Sequence, residues 1–145
     1  MDTKELLQRV TQLWNGGDPR SANEIYADDC VYRGAAMPEP IRGRDALTAH
    51  MTHMRKIFPD LRLTADETLT EGDRIAVRWT WTGTHKGEWE GVAPTGRKVT
   101  ETGLSMLRLR NGKIVDEFVA SDRHSLFQQL GLVPARPVSA KATGR

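Results

Sequence analysis

The chain is predicted to be an α+β protein, a cone in which a curved antiparallel sheet wraps around three N-terminal helices. Three observations predict it. Apolar residues recur at helical spacing mainly in the first part of the 145-residue chain. Long alternating runs follow, at Ile75–Gly83, Val99–Leu109 and Lys113–Ser121. Glu71-Gly72-Asp73 and Arg110-Asn111-Gly112 have the composition of hairpin turns. Helices first and consecutive strands afterwards is an α+β order. A curved sheet closed over helices leaves an internal cavity, a natural ligand site.

Thr3 is placed to cap a first helix, whose stripe is Leu6, Leu7, Val10, Leu13 and Trp14. Gly16-Gly17 ends it, because glycine takes the left-handed capping conformation without a side-chain clash. A short second helix is predicted from Pro19 to Ala27, with proline in its first turn. Val31-Tyr32-Arg33 reads as a short extended piece and Met37-Pro38-Glu39-Pro40 as a loop. The third helix spans Arg44 to Ile57 and is stopped by Pro59. Leu47, Met51, Met54 and Phe58 form one of its stripes; Ala46, His50, His53 and Ile57 form the next.

From there to Ser121 the chain reads mostly as strand. In Ile75–Gly83 one face carries Ile75, Val77, Trp79 and Trp81, the other Ala76, Arg78, Thr80 and Thr82. A short apolar helix follows Asp122. Residues 1–134 are read as one domain and residues 135–145, small, polar and basic, as a disordered tail.

Bulk properties narrow the function. A formal charge of +2 with scattered Lys and Arg argues against nucleic acid. No apolar run reaches the roughly 20 residues of a membrane span, and the charged N-terminus does not resemble a signal peptide, so a cytoplasmic location is expected. Cys30 stands alone, more often a small buried hydrophobe than a nucleophile. Gly91–Arg97 lacks the ending of a phosphate loop, and no dinucleotide fingerprint occurs. No cofactor is therefore expected. His50 and His53 share a helix without the companions of a zinc site, so no metal is expected, and His50 or His53 is better read as a hydrogen-bonding group of the pocket.

Asp122 is the principal candidate for chemistry. It ends a strand of which one face carries Ile114, Asp116, Phe118, Ala120 and Asp122. If that face lines the cavity, burial raises the carboxylate's pKa and makes it a better base near neutral pH. It could equally cap the following helix, and an N-capping carboxylate is a weaker base. Arg108, Arg78 or a histidine of the third helix, His50 or His53, could steady a negatively charged oxygen of a ligand. Trp14, Tyr32, Phe58, Trp79, Trp81 and Phe118, with Met51, Met54 and Met106, would grip a flat substrate.

Several phrases then point to a family. They are Phe58-Pro59-Asp60-Leu61, Glu71–Trp79, Gly83–Glu88, Pro94–Arg97, Gly112–Val115 and Gln128–Leu132. Together, between Leu6 and Pro134, they resemble the SnoaL-like polyketide cyclase family, of the ketosteroid isomerase and scytalone dehydratase type of cone. The resemblance implies an enzyme of anthracycline-type antibiotic biosynthesis acting on a polycyclic aromatic polyketide. It implies ring closure by intramolecular aldol reaction without cofactor or metal, with an aspartate matching Asp122 as general acid/base. The chain departs from the pattern at Glu117-Phe118, where members often carry His-Trp. That departure favours the family's branch assigned to ring hydroxylation.

A non-catalytic binding module of the same cone is the alternative from another class, and would have a cavity without a buried carboxylate. An isomerase, dehydratase or hydrolase of the same fold is the third reading. Alternating Thr, Arg and Glu on the outer sheet face suggest two cones packed sheet to sheet, so a homodimer is expected.

Overall fold

The computed structural model describes residues 1–134. Its elements run α1 (Thr3–Trp14), a 3-10 turn (Pro19–Ser21), α2 (Ala22–Ile25), β1 (Tyr26–Gly34), β2 (Ile41–Arg42), α3 (Arg44–Ile57), β3 (Arg62–Glu71), β4 (Arg74–Thr84), β5 (Lys98–Arg110), β6 (Lys113–Ser121) and α4 (Arg123–Gln129). The strands form one sheet in the order β2-β1-β6-β5-β4-β3.

The α+β expectation holds, with three corrections. The sheet is mixed rather than wholly antiparallel, because β1 runs parallel to β6. The helix predicted from Pro19 to Ala27 is a 3-10 turn followed by a single α-turn, and the chain is already a strand at Tyr26. β-branched Ile25 and buried Tyr26 and Ala27 are drawn into the core, and tertiary burial outweighs weak local helix preference. The cap of α1 is Asp2, not Thr3: its carboxylate accepts from the Glu5 amide at 2.8 Å. Residues 135–145, expected to form a disordered tail, lie outside the described residues.

Two apolar clusters fill the cone. One joins Leu6, Leu7 and Leu13 of α1 and Leu47 and Met51 of α3 to Ile75, Val77, Leu107 and Ile114 of the sheet. The other surrounds Phe58, with Trp81, Trp89, Val99, Leu126 and Leu130. Each fully buried large side chain contributes about 1.5–3 kcal/mol by leaving water. Arg55 closes the helix layer by donating one terminal nitrogen to the carbonyls of Trp14 and Leu61 at 3.0 and 3.1 Å.

Register decides what faces the cavity. Trp79 lies opposite Gly103, Val77 opposite Ser105 and Ile75 opposite Leu107. Continuing across β6, Gly103 lies opposite Ser121, Ser105 opposite Val119 and Leu107 opposite Glu117. Gly103 is required: a Cβ there would lie 2.4 Å from the Trp79 ring and 2.7 Å from the Ala120 carbonyl oxygen. Its bareness lets the indole lie across β5, where Nε1 donates to Ser105 Oγ at 2.9 Å.

Candidate active site

An inner chamber of about 90 Å³ lies between α1 and the concave sheet face, lined by Leu7, Val10, Trp14, Tyr32, Val77, Trp79, Ser105, Leu107 and Glu117 among others. A second chamber of about 160 Å³ opens beside it, lined by Tyr32, His50, Met54, Trp89, Val119, Ser121 and Arg123, with Met37 and Pro38 at its edge. Tyr32 is a wall of both.

Glu117 is the carboxylate in the inner chamber, and its side chain comes from the middle of β6. The residue is 8% exposed, and its Oε1 has no hydrogen-bond partner among the described residues. Burial raises its pKa to about 7, the Ser105 hydroxyl pulling the other way and Asp116 adding a smaller upward push. At neutral pH it is divided between acid and base, the condition for moving protons in both directions.

Aromatic walls hold the rest. Trp14, Tyr32 and His50 pack mutually at centroid distances of 5.9 to 6.5 Å. Burial, the neighbouring His53 and Arg123 lower the His50 pKa to about 4, so the imidazole is neutral at pH 7. Tyr32 stays a phenol, since burial and then Glu117 push its pKa well up. Both can therefore exchange hydrogen bonds with a ligand without adding charge.

Behind the outer chamber, Glu101 is buried on β5. Its Oε1 accepts from Trp81 Nε1 at 2.9 Å and its Oε2 from Arg123 Nε at 3.0 Å. The Arg123 guanidinium also lies 5.2 Å from the centre of the Trp89 ring.

The expected cavity face of β6 is reversed. A register shift lies between the pairs Arg108–Asp116 and Leu109–Ile114, so Ile114 and Glu117 both turn inward although three residues apart. Beyond the bulge Glu117, Val119 and Ser121 face the interior, whereas Asp116, Phe118 and Ala120 face out. Asp122 is exposed and is the N-cap of α4, its Oδ1 accepting from the Ser125 amide at 3.0 Å. Arg108 also lies on the outer face, in register with Arg74 and Asp116. Met106 and Phe118 face each other across β5 and β6 on that face, 45% and 43% exposed.

The remaining candidates divide between cavity and core. Trp14, Tyr32 and Trp79 line the inner chamber, and Tyr32, His50 and Met54 the outer one. Met51, Phe58 and Trp81 are core: Phe58 is fully buried with its ring 4.9 Å from that of Trp81. Arg78 lies outside, paired with Glu67 at 3.3 Å. Glu117, Ser105, Glu101 and Arg123 were missed as site residues. Cys30 is buried, and burial pushes its thiol pKa up, away from a nucleophilic thiolate.

Among the described residues, no cluster of three or more His, Cys, Asp or Glu could hold a metal ion, and no helix is long and apolar enough to cross a membrane.

Known proteins resemble the chain over most of its length. Over 129 residues the chain is 26% identical to the aklanonic acid methyl ester cyclase DnrD of Streptomyces peucetius, covering 88% of this chain and 89% of the relative. The crystal structure of AclR, a proposed hydroxylase from Streptomyces galilaeus, matches with TM-score 0.81 at 31% identity, over 97% of this chain and 88% of that one. IdmH, a proposed polyketide cyclase from Streptomyces antibioticus, matches with TM-score 0.78 at 31% identity, over 90% and 99%. The family model for SnoaL-like polyketide cyclases matches residues 4–130. The chain belongs to the SnoaL-like polyketide cyclase family.

Proposed function

We propose that the protein tailors an aromatic, anthracycline-type polyketide, with Glu117 moving the proton. The observation that carries this reading is a buried carboxylate with a pKa of about 7 and a free oxygen in an aromatic-walled chamber. A pure binding module has no need of such a group, which costs stability when it ionises. The inner chamber of about 90 Å³ is smaller than the ~300 Å³ or more of ordinary ligand pockets. A polycyclic substrate therefore places its reacting edge beside Glu117 and extends past Tyr32 into the outer chamber.

In the favoured reaction, ionised Glu117 takes a proton from the carbon next to a ketone. The enolate carbon attacks a second carbonyl of the same molecule, and the new alkoxide takes a proton from the Glu117 acid. One carbon–carbon bond forms, and substrate and product are isomers. The likeness to DnrD supports this aldol reading. Ring hydroxylation is the second reading, supported by the 31% identity to AclR, a proposed hydroxylase. It would start from the same deprotonation, with molecular oxygen and a reductant as co-reactants.

Incubation with aklanonic acid methyl ester, with and without oxygen and a reductant, tests the proposal by mass spectrometry. An isomeric cyclised product supports the first reading, and a product gaining one oxygen supports the second. No conversion of this or related anthraquinone-type esters would defeat both.

The protein is further proposed to work in the cytoplasm as a homodimer joined through the outer sheet face. Leu69, Ala76, Met106 and Phe118 make one cross-strand apolar row there, with exposed Leu104 beside it.

A further inference from the structure

Resting on the polycyclic-substrate reading, the geometry points to Arg123 as the residue that recognises an ionised phenol oxygen of the substrate in the outer chamber. Among the described residues lining that chamber, Arg123 alone bears a fixed positive charge, since His50 is neutral at pH 7. Its guanidinium is held from two sides. Glu101, with its side chain 1% exposed, takes the Nε hydrogen at 3.0 Å, and the Trp89 ring lies 5.2 Å away. Glu101 is fixed in turn by the Trp81 indole at 2.9 Å. The two terminal nitrogens of Arg123 have no hydrogen-bond partner among the described residues, although the side chain is only 33% exposed.

A planar guanidinium bonded through Nε presents its remaining N–H groups as a fork in a fixed plane, suited to oxygen atoms on the edge of a flat ring. Trp89 and Tyr32 flank the same space with aromatic surface. Glu90 also borders the chamber but is exposed on its loop, where water screens it. The buried Glu101 carboxylate is a costly way to hold a surface arginine, since it must leave water. Its effect here is to fix the guanidinium before a ligand arrives. The phenol oxygen would then set how the ring system lies relative to Glu117, making Arg123 a residue of orientation and substrate choice.

Binding of 2-hydroxyanthraquinone and unsubstituted anthraquinone, followed by tryptophan fluorescence and by the colour change on phenol ionisation, tests this inference. Wild-type protein is expected to bind the hydroxylated compound at least tenfold more tightly and to lower the pH at which it ionises. In Arg123→Gln/Glu101→Gln, which leaves no orphaned carboxylate, that preference and the shift in ionisation are expected to vanish, while anthraquinone binds within twofold of wild type. If the double variant does not fold, Arg123→Lys retains the charge beside Glu101 but loses the fork. It is then expected to weaken binding of the hydroxylated compound alone, several-fold. Equal wild-type affinity for both compounds, or a variant losing both equally, would overturn the role of Arg123 and leave the polycyclic reading intact. Failure of wild-type protein to bind either compound would sink that reading and this inference together.

Discussion

Replacing Glu117 by Gln removes the proposed proton-transferring group while keeping nearly the same volume in the chamber. Two effects of opposite sign are expected. Turnover should fall by about 10²–10⁴, the usual contribution of a positioned general base. Stability should change the other way, in a pH-dependent manner. The Glu117 pKa is raised from 4.5 to about 7 in the fold, so the native state holds a proton that the unfolded chain has released. The associated stability is fully present below pH 4.5 and is lost as pH rises through about 7. At 1.36 kcal/mol per pKa unit, the wild type loses about 3 kcal/mol over that window. The Gln variant carries no such loss. Its melting temperature relative to wild type should therefore climb from acid to pH 8, by roughly 10 °C for a chain of this size. Differential scanning fluorimetry of both proteins from pH 4.5 to 8 measures the difference directly, and other titrating groups largely cancel. A difference that stays flat with pH would refute the burial argument for Glu117, and wild-type turnover in the variant would refute its chemical role.

Substitutions at three other positions probe the frame around the site. Gly103→Ala should cost about 1–3 kcal/mol in urea unfolding and weaken ligand binding, because the new methyl meets the Trp79 ring and the Ala120 carbonyl. Asp122→Ala should cost about 1 kcal/mol for the lost α4 cap, whereas Asp122→Asn, itself a good cap, should keep both stability and activity within a few-fold. A hundredfold loss of turnover in a folded Asp122→Asn protein would return the catalytic role to Asp122. Phe118→Lys should give a monomer by light scattering under conditions where wild type is a dimer, since it sets a charge within the exposed apolar row. A wild-type monomer at micromolar concentration would dispose of the dimer instead.

Much of the frame was legible because period and punctuation agree. Helix α3 begins and ends where its stripe and Pro59 place it, Arg44 to Ile57. Alternation in Ile75–Trp81 correctly sorted the faces of β4, and Asn111-Gly112, both with positive φ, form the expected turn. The site was less legible, and for Glu117 the reason is local. Ile114 and Phe118 look like members of one apolar face of β6, and period-two reasoning assigns Asp122 to the same side. The bulge beyond Ile114 inverts the parity, leaving Phe118 outside and Glu117 inside. Its only sequence signal was the run Val115, Glu117, Val119, Ser121, where a lone carboxylate sits between apolar neighbours. Arg123 and Glu101 were invisible for a different reason: their partnership joins β5 to the start of α4 and has no local pattern.

The proton transfer itself is most directly observed by following deuterium from heavy water into the carbon acid of aklanonic acid methyl ester or its product. Wild-type protein should catalyse incorporation at the carbon next to the ketone, with a rate that rises through pH 7 and levels off. Folded Glu117→Gln protein should leave only the slow uncatalysed exchange. Equal incorporation with the two proteins would contradict the assignment of proton transfer to Glu117.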